Sequence, residues 1–436
     1  RIVSVIAATA IALSCGTNYA FSAWEPQFAQ RLRLSATEAN LIGNFANIGM
    51  YALGIPGGML VDRKGPRWGA LVGVVGLACG YFALHSAYRR GEGSMSVPTL
   101  CFFSLCTGVA SCTAFSAAIK VCATNWPGHR GTAMAFPLSA FGLSAFFYTT
   151  LSAFVFPDDT AGYLLLLSVM ASSMLLLGMI FLTMAPPHSQ YEALDTDERP
   201  ALRRKDSSRS RRSPHITGWT LLQTPAFWKL FTMLGLLCGV GLMTINNVGN
   251  TARTLWHHFD DSVSHEFMEQ RQIINVGTIS VFSFVGRLSS GIGSDWLVHH
   301  DASRLWTLVA SACVSVAAQL VALNLDDPHG LFWLSGLTGL GYGTLFGVYP
   351  ALVVDAFGSS GMGINWGAMT WAPVLSGSFF NLAYGHILDR HSTFRSGPNG
   401  HHNGESVCND GKACYQGAYA ITLAASLVGL CWSLYM

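Results

Sequence analysis

The chain has 436 residues and a formal net charge of +2, with 51% hydrophobic and only 11% charged residues. A water-soluble domain carries about 25% charged residues, so the composition argues against a soluble globule, and the near-neutral charge does not indicate a nucleic-acid partner. The 46 glycines are typical of helices that pack closely within lipid. The composition therefore predicts a polytopic membrane protein.

Apolar runs long enough to cross a bilayer, at about 20 residues per crossing, recur along the whole chain. They are apolar around their full circumference, which is typical of helices surrounded by lipid and by other helices. We number them segments 1 to 12, at residues 2–28, 38–61, 68–87, 98–123, 131–155, 161–184, 226–256, 270–294, 304–324, 330–355, 361–386 and 414–435. The sequence thus predicts an all-α membrane protein with twelve transmembrane helices.

A polar, basic stretch separates segments 6 and 7. Its composition cannot bury enough apolar surface to fold, so we predict a disordered linker. The predicted organisation is an N-terminal six-helix bundle at 1–184, a cytosolic basic linker at 185–225 and a C-terminal six-helix bundle at 226–436. The positive-inside rule places the linker, both termini and the basic loop after segment 2 in the cytosol. The basic residues of the linker are Arg199, Arg203, Arg204, Lys205, Arg209, Arg211 and Arg212.

The ends of segments 2 and 8 share a Gly-x-x-x-Asp pattern. The first copy reads Gly58-Met-Leu-Val-Asp62-Arg63-Lys64-Gly65-Pro66-Arg67, and the second reads Gly291-Ile-Gly-Ser-Asp295. Two parallel six-helix halves are a known transporter architecture. The first copy resembles the loop signature of the major facilitator superfamily, Gly-x-x-x-Asp-Arg-x-Gly-x-Arg, at every key position.

The two aspartates are predicted to form latches between the halves. A carboxylate at a helix N-terminus is stabilised by about 0.3–1 kcal/mol. We expect Asp62 to bind the glycine-rich start of segment 11 at 361–367, and Asp295 to bind the start of segment 5 at Gly131 and Thr132. Arg63 and Arg67 belong to the same signature and are assigned to gating, with topology anchoring as the alternative for Arg63.

Further motifs resemble the nodulin-like branch of this superfamily in its fungal form. They include Gly16-Thr17-Asn18-Tyr19-Ala20-Phe21-Ser22, Phe141-Gly142-Leu143-Ser144-Ala145-Phe146, Gly341-Tyr342-Gly343-Thr344-Leu345-Phe346-Gly347 and Asn365-Trp366-Gly367. The resemblance implies a solute transporter and leaves the substrate open. A more distant similarity to the monocarboxylate transporters implies that Arg287, four residues before Gly291, holds a substrate carboxylate. Ala23 stands where those transporters carry a proton-coupling lysine, so lactate-type proton symport is not implied.

Polar residues at similar depth in both halves predict a substrate cavity. Asn246 and Asn247 lie among glycines that weaken a helix, so we expect a discontinuity in segment 7, where transporters place binding sites. The predicted substrate contacts are Asn18, Tyr19, Asn246, Asn247, Arg287, Tyr342 and Tyr349. The alternatives are amides that join helices, tyrosines that only pack, and an Arg287 ion pair with Asp355 or Asp295.

Charges and cysteines near the outer side complete the candidate residues. Glu25 is assigned to proton coupling or to an outer gate with Arg253, and the alternative for Arg253 is that it snorkels to the interface. Lys120 is also expected to snorkel. Cys408 and Cys414 flank a five-residue turn in the last outer loop, where a disulfide is favoured over metal binding.

Neither a catalytic set nor a nucleotide-binding loop is recognisable, so we predict no enzyme activity, no cofactor and no metal. The predicted function is secondary transport, or facilitated passage, of a small solute by alternating access, with a carboxylate-bearing solute favoured by Arg287. The alternative is a non-transporting membrane solute sensor on the same fold. The predicted partners are the solute, a candidate coupling proton and the lipid bilayer. We expect a functional monomer in the vacuolar or plasma membrane.

Overall fold

The computed structural model describes residues 1–34, 36–156, 159–184, 216–259, 265–359, 361–391, 393–394, 406–407 and 411–436. The predicted disordered linker spans 185–225. Residues 185–215 lie outside the described residues, and the rest of the range contains the short helix Trp219–Leu222 and ends at the start of the next helix, so the expectation of disorder is wrong there.

Helices occupy all twelve predicted segments, and four segments are interrupted. In the first half, segment 1 comprises Ile2–Cys15, a 3-10 turn Gly16–Ala20 and Phe21–Leu32; segment 2 comprises Ala36–Tyr51 and Gly54–Lys64; segments 3, 4 and 5 are Pro66–Arg90, Val97–Asn125 and Arg130–Val155; segment 6 comprises Thr160–Leu166, a π-helical turn Leu167–Ala171 and Ser172–Phe181.

The second half begins with a short helix, Trp219–Leu222, directly before segment 7. Segments 7 to 10 are Pro225–Phe259, His265–His299, Leu305–Leu323 and, after a 3-10 turn Pro328–Gly330, Leu331–Phe357; segment 11 comprises Met362–Met369 and Trp371–His391; segment 12 is Ala413–Tyr435. Before segment 12, Thr393–Phe394 pairs antiparallel with Ser406–Val407.

The outer surface and the interior of the bundle differ as expected for a protein in lipid. Large apolar side chains such as Phe154 (83% exposed) and Leu382 (75% exposed) point outward, which would be unfavourable in water. In the described part of the chain, nine helices are long and apolar enough to cross a membrane. Segments 2, 8 and 11 are helical but do not meet this criterion of length and hydropathy. That the chain crosses the membrane twelve times therefore stays a prediction.

Buried apolar residues form one cluster centred on segments 1 to 6 and two clusters within segments 7 to 12 and their flanks. The first cluster also includes Ala351, Val354 and Met362 from the second half. The two halves therefore pack against each other through apolar contacts near the start of segment 11. The division of the chain into two bundles joined by a linker stays a prediction.

The expected discontinuity in segment 7 is wrong, because the helix runs unbroken through Asn246 and Asn247. Side chains from neighbouring helices fill the space beside its glycines: Phe380 and Ser376 pack on Gly239, and Tyr342 packs on Gly241. This tertiary packing outweighs the weak helix propensity of glycine. Segment 1, by contrast, is interrupted at the 3-10 turn that holds Asn18 and Tyr19.

Candidate functional site

The most complete contacts between the halves lie at one end of the bundle, which we call the linker face. It comprises the end of segment 2, the start of segment 5, the end of segment 8 and the start of segment 11. Alternation of the helices places these ends at the same side as residue 184 and residue 216.

At the linker face, Asp62 accepts hydrogen bonds from the backbone of segment 11. Its Oδ1 accepts from the Gly363 N–H at 3.3 Å and its Oδ2 from the Ile364 N–H at 2.9 Å. These N–H groups belong to the first turn of Met362–Met369, where they have no partner within the helix. A carboxylate from the first half thus binds a helix N-terminus of the second half.

Asp295 makes the reciprocal contact. Its Oδ1 accepts from the Gly131 N–H at 3.1 Å and its Oδ2 from the Thr132 N–H at 2.6 Å, both at the start of segment 5. Here the carboxylate belongs to the second half and the helix N-terminus to the first. The two contacts are related by exchange of the halves, as the repeated Gly-x-x-x-Asp pattern predicts.

Each aspartate also pairs with a cation of its own half. The Lys120 Nζ lies 2.7 Å from the Asp62 Oδ1, and the Arg304 Nη1 lies 2.6 Å from the Asp295 Oδ1. All four side chains are less than 10% exposed. The expectation that Lys120 snorkels is therefore wrong, because its amine is buried against a carboxylate on the neighbouring helix.

A further ion pair crosses between the halves on the Asp295 side. Asp355, at the end of segment 10, accepts from Arg130 of the first half at 2.9 Å and from Arg304 at 2.8 Å. Arg304 thereby joins Asp295 to Asp355. Neither Arg130 nor Arg304 was assigned a site role from the sequence, because nothing in their local pattern indicates which acids surround them in the fold.

Glycines let the helices of the two halves meet backbone to backbone at the linker face. A Cβ at Gly58 would lie 2.1 Å from the Gly363 carbonyl oxygen. A Cβ at Gly131 would lie 2.6 Å from the Gly291 carbonyl oxygen. Any side chain at these positions would push the halves apart, so the linker face is closed in this structure.

Arg287 lies deeper, between the halves, and is only 3% exposed. Its Nη1 donates to the Leu138 carbonyl at 2.8 Å, and its guanidinium lies 5.6 Å from the ring centre of Phe141 and 5.5 Å from that of Phe346. Its Nε is buried and has no hydrogen-bond partner among the residues that the structure describes. Among the described residues, Arg287 makes no ion pair with Asp355 or Asp295, whose carboxylates are held by Arg304 and Arg130.

Three tyrosines and a cysteine lie between the helices at the same depth as Arg287. The Tyr19 and Tyr51 hydroxyls form a short hydrogen bond, and the Tyr342 hydroxyl lies near both. The Cys238 Sγ lies 3.8 Å from the Tyr342 hydroxyl. We call Arg287 and these four residues the central cluster, and it draws on segments 1, 2, 7, 8 and 10.

Helix interruptions position the central cluster. Tyr19 lies in the 3-10 turn of segment 1, and Tyr51 is the last residue before segment 2 breaks. The break frees the Tyr51 carbonyl, which accepts from the Thr370 hydroxyl at 2.9 Å, and Thr370 itself lies at the break in segment 11. Tyr51 was missed as a site residue from the sequence, although its place just before a Gly-x-Pro-Gly-Gly run was a usable signal.

The remaining predicted contact residues lie in several places. The Asn18 Oδ1 accepts from Tyr81 and Thr107 within the first half, at 3.1 Å and 3.0 Å. Its Nδ2 is buried and has no partner in the described part of the chain. The Asn247 Nδ2 donates to Asn381 of segment 11 at 2.8 Å, and Asn246 is exposed. Asn18 and Asn247 thus join neighbouring helices, which was the alternative to a role in substrate binding.

Tyr349 is fully buried and donates to the Leu230 carbonyl inside the second half. Arg63 and Arg67 are exposed at the linker face. Glu25 and Arg253 lie on helices, but their side chains are outside the described set, as is Cys408. Cys414 is buried and disulfide-bonded. The described residues contain no group of three or more His, Cys, Asp or Glu side chains arranged to hold a metal ion.

Comparison with known proteins bears on what this arrangement does. A family model described as Major Facilitator Superfamily matches residues 6–381. The chain is 25% identical to the uncharacterized membrane protein YMR155W of Saccharomyces cerevisiae, across 96% of this chain and 91% of that protein. It is 26% identical to the probable transporter MCH1 of Gibberella zeae, across 99% of this chain and 89% of that one.

Two solved structures share the fold at low sequence identity. The proton:xylose symporter XylE, bound to 6-bromo-6-deoxy-D-glucose, has a TM-score of 0.65 and 13% identity, and covers 100% of this chain and 95% of its own. The Escherichia coli fucose:proton symporter FucP has a TM-score of 0.60 and 14% identity, with 98% of each chain covered.

Proposed function

The chain belongs to the Major Facilitator Superfamily, and on that premise we propose that it is a secondary transporter that carries a small, carboxylate-bearing solute across a membrane by alternating access. Its family and fold support membrane transport rather than enzymatic chemistry. Because two relatives in fold are named as proton symporters, a proton is the coupling ion that we propose.

The observation that carries the proposal is the incomplete hydrogen bonding of the buried Arg287 side chain. A buried guanidinium is costly unless anions or carbonyls surround it. Among the residues that the structure describes, this one has a single carbonyl partner and an unpartnered Nε. A carboxylate would fit the fork of N–H groups better than one carbonyl does, because it accepts two parallel hydrogen bonds. The hydroxyls of Tyr19, Tyr51 and Tyr342 supply further polar groups at the same level.

The contacts of Arg287 suggest how binding is coupled to motion. Arg287 belongs to the second half, and its one described hydrogen bond reaches across to Leu138 of the first half. A solute carboxylate that takes over this donor removes a contact between the halves at the central cluster. Binding would then favour separation at the linker face, where the two aspartate latches remain to be broken.

The proposed orientation follows from the basic linker. With the linker face in the cytosol, both termini are cytosolic, and the structure corresponds to a state that is closed to the cytosol. We propose a functional monomer in the vacuolar or plasma membrane.

A ligand screen on the purified protein tests the carboxylate assignment. We expect some members of a panel of small mono- and dicarboxylates to raise the unfolding temperature, and the matching amides to have no effect. Arg287→Gln should abolish the stabilisation, and Arg287→Lys should retain part of it, because lysine keeps the charge without the fork.

A carboxylate that stabilises the wild type and the Arg287→Gln variant equally would refute the role of Arg287. Binding by the amides with the same strength would refute the requirement for a charged solute.

A further inference from the structure

The end of the linker is bound to the same helix start that receives Asp62. The Ile216 N–H donates to the Phe357 carbonyl at 3.1 Å, and the Ile216 carbonyl accepts from the Asn365 Nδ2 at 2.9 Å. One residue later, the Thr217 side chain occupies the space over Gly361, where a Cβ would lie 1.8 Å from the Thr217 Cγ2. Ile216 is thus held between the end of segment 10 and the start of segment 11.

The following short helix fixes this piece of the linker to the second half. Leu221 is 1% exposed and packs in a cluster with Phe357 and Trp366, whereas Trp219 is 74% exposed. We call residues 216–222 the strap. The strap has a buried apolar anchor, a bound backbone and an outward-facing indole at the depth of the linker face.

Asn365 connects the strap to the Asp62 latch. It directly follows Ile364, whose N–H binds Asp62, and its own N–H donates to the Gly361 carbonyl at 3.0 Å. Asn365 is 0% exposed, so its orientation is fixed by packing. The strap and Asp62 therefore hold one and the same helical turn.

The second latch is built differently at this place. Gly131 of segment 5 corresponds to Gly363 of segment 11, since each gives the first N–H to an aspartate. The residue before Gly131 is Arg130, which forms an ion pair with Asp355 of the other half. The residue before Gly363 is Met362, which is apolar and buried. Met362 has no charge and so cannot form an ion pair with the other half as Arg130 does. On the Asp62 side, the strap lies next to this turn instead.

We propose that the strap is a component of the linker-face gate: it holds the start of segment 11 in the orientation that presents Gly363 and Ile364 to Asp62, and so stabilises the closed state. This inference rests on the alternating-access mechanism proposed above. It makes the position of the linker and the opening of the gate interdependent, because anything that pulls the strap from Asn365 weakens the Asp62 latch.

Distance measurements on the full chain test the strap without any transport assay. Spin labels on unnatural amino acids at positions 128 and 298, which lie at the linker face in different halves, report the open fraction. Asn365→Ala removes the donor to Ile216 and should raise the open-to-closed ratio by about 3- to 10-fold, as expected for one lost hydrogen bond. In an Asp62→Asn background the same change should have much less effect, since the latch that it supports is already weakened.

Two matched variants separate this role from a general loss of stability. Thr217→Gly leaves Asn365 intact but removes the contact over Gly361, and it should shift the ratio in the same direction. Asn275→Ala removes another buried amide, which bonds to Ser335 away from the linker face, and it should leave the ratio unchanged. If Asn365→Ala lowers the unfolding temperature without changing the ratio, or adds fully to Asp62→Asn, the strap is not part of the gate.

Discussion

Replacing Asp62 by asparagine tests the latch most sharply, because the structure separates two roles of this carboxylate. One is the ion pair with Lys120, at 2.7 Å and inside the first half. The other is the pair of bonds to the Gly363 and Ile364 N–H groups, which crosses between the halves. Only the second contact differs between a closed and an open linker face, so only its loss should change the balance of the two states.

The expected magnitudes of the two losses differ. Removal of one partner from a buried ion pair costs about 3–5 kcal/mol, and Lys120 and Asp62 are 9% and 7% exposed. This cost falls on both states equally and lowers overall stability. A carboxylate at a partly buried helix N-terminus contributes about 1–2 kcal/mol, so Asp62→Asn should raise the open-to-closed ratio about 5- to 30-fold.

Spin-label distances between positions 128 and 298 measure this ratio. Asp295→Asn is the symmetric variant and should act in the same direction, since its amide loses the negative charge and keeps only one acceptor oxygen for the Gly131 and Thr132 N–H groups. If the two latches act independently, the double variant should show the product of the two effects. Asp326→Asn is a matched control, because Asp326 pairs with Lys412 within the second half.

A lower unfolding temperature of Asp62→Asn with an unchanged distance distribution would refute the latch. Asp62 would then only neutralise Lys120.

Two further predictions concern close packing and the outer loop. Gly58→Ala should favour the open linker face, because its Cβ would lie 2.1 Å from the Gly363 carbonyl oxygen and overpacking costs about 1–3 kcal/mol. Gly293→Ala is the control: no heavy atom of a neighbouring element lies within 4 Å of a Cβ there, so the spin-label distances should stay unchanged. Equal behaviour of the two variants would contradict the steric argument. Because Cys414 is disulfide-bonded, a reductant should lower the unfolding temperature of the wild type. Cys414→Ser should have a lower unfolding temperature from the start, and the reductant should not lower it further. If the reductant lowers the unfolding temperature of this variant as much as that of the wild type, the disulfide of Cys414 is not the cause.

The sequence predicted the contacts of Asp62 and Asp295 because a repeated motif defines both the carboxylate and the symmetric position of its partner. Helix positions were predictable for a related reason, since an apolar run of bilayer length has few alternatives to a helix. These features depend on local pattern and on the pairing of the two halves.

The cations beside the latches were not predictable in this way. Lys120 reaches Asp62 from another helix, and Arg304 reaches Asp295 from the turn before segment 9. No local pattern records the rotation of that helix about its axis or the path of that turn. Asn18 shows the same limit: its depth was inferred from the sequence, but its direction depends on the 3-10 turn, which points the side-chain oxygen toward Tyr81 and Thr107.

Segment 7 was misjudged because its glycines were weighed by helix propensity alone. Packing by Phe380 and Tyr342 supplies the missing stabilisation, and such contacts between distant segments are not visible in one chain without its fold. The predicted pairing of Glu25 with Arg253 remains untested, since both side chains lie outside the described set.

Solute counterflow in proteoliposomes tests the central claim of alternating access most directly. The probes are radiolabelled forms of the carboxylates that raise the unfolding temperature of the purified protein. We expect saturable uptake that is accelerated when the vesicles are preloaded with the same unlabelled compound, and lost in Arg287→Gln. Stabilisation of the protein by a carboxylate, with uptake no faster than in empty liposomes, would contradict transport and would instead indicate a membrane sensor built on this fold.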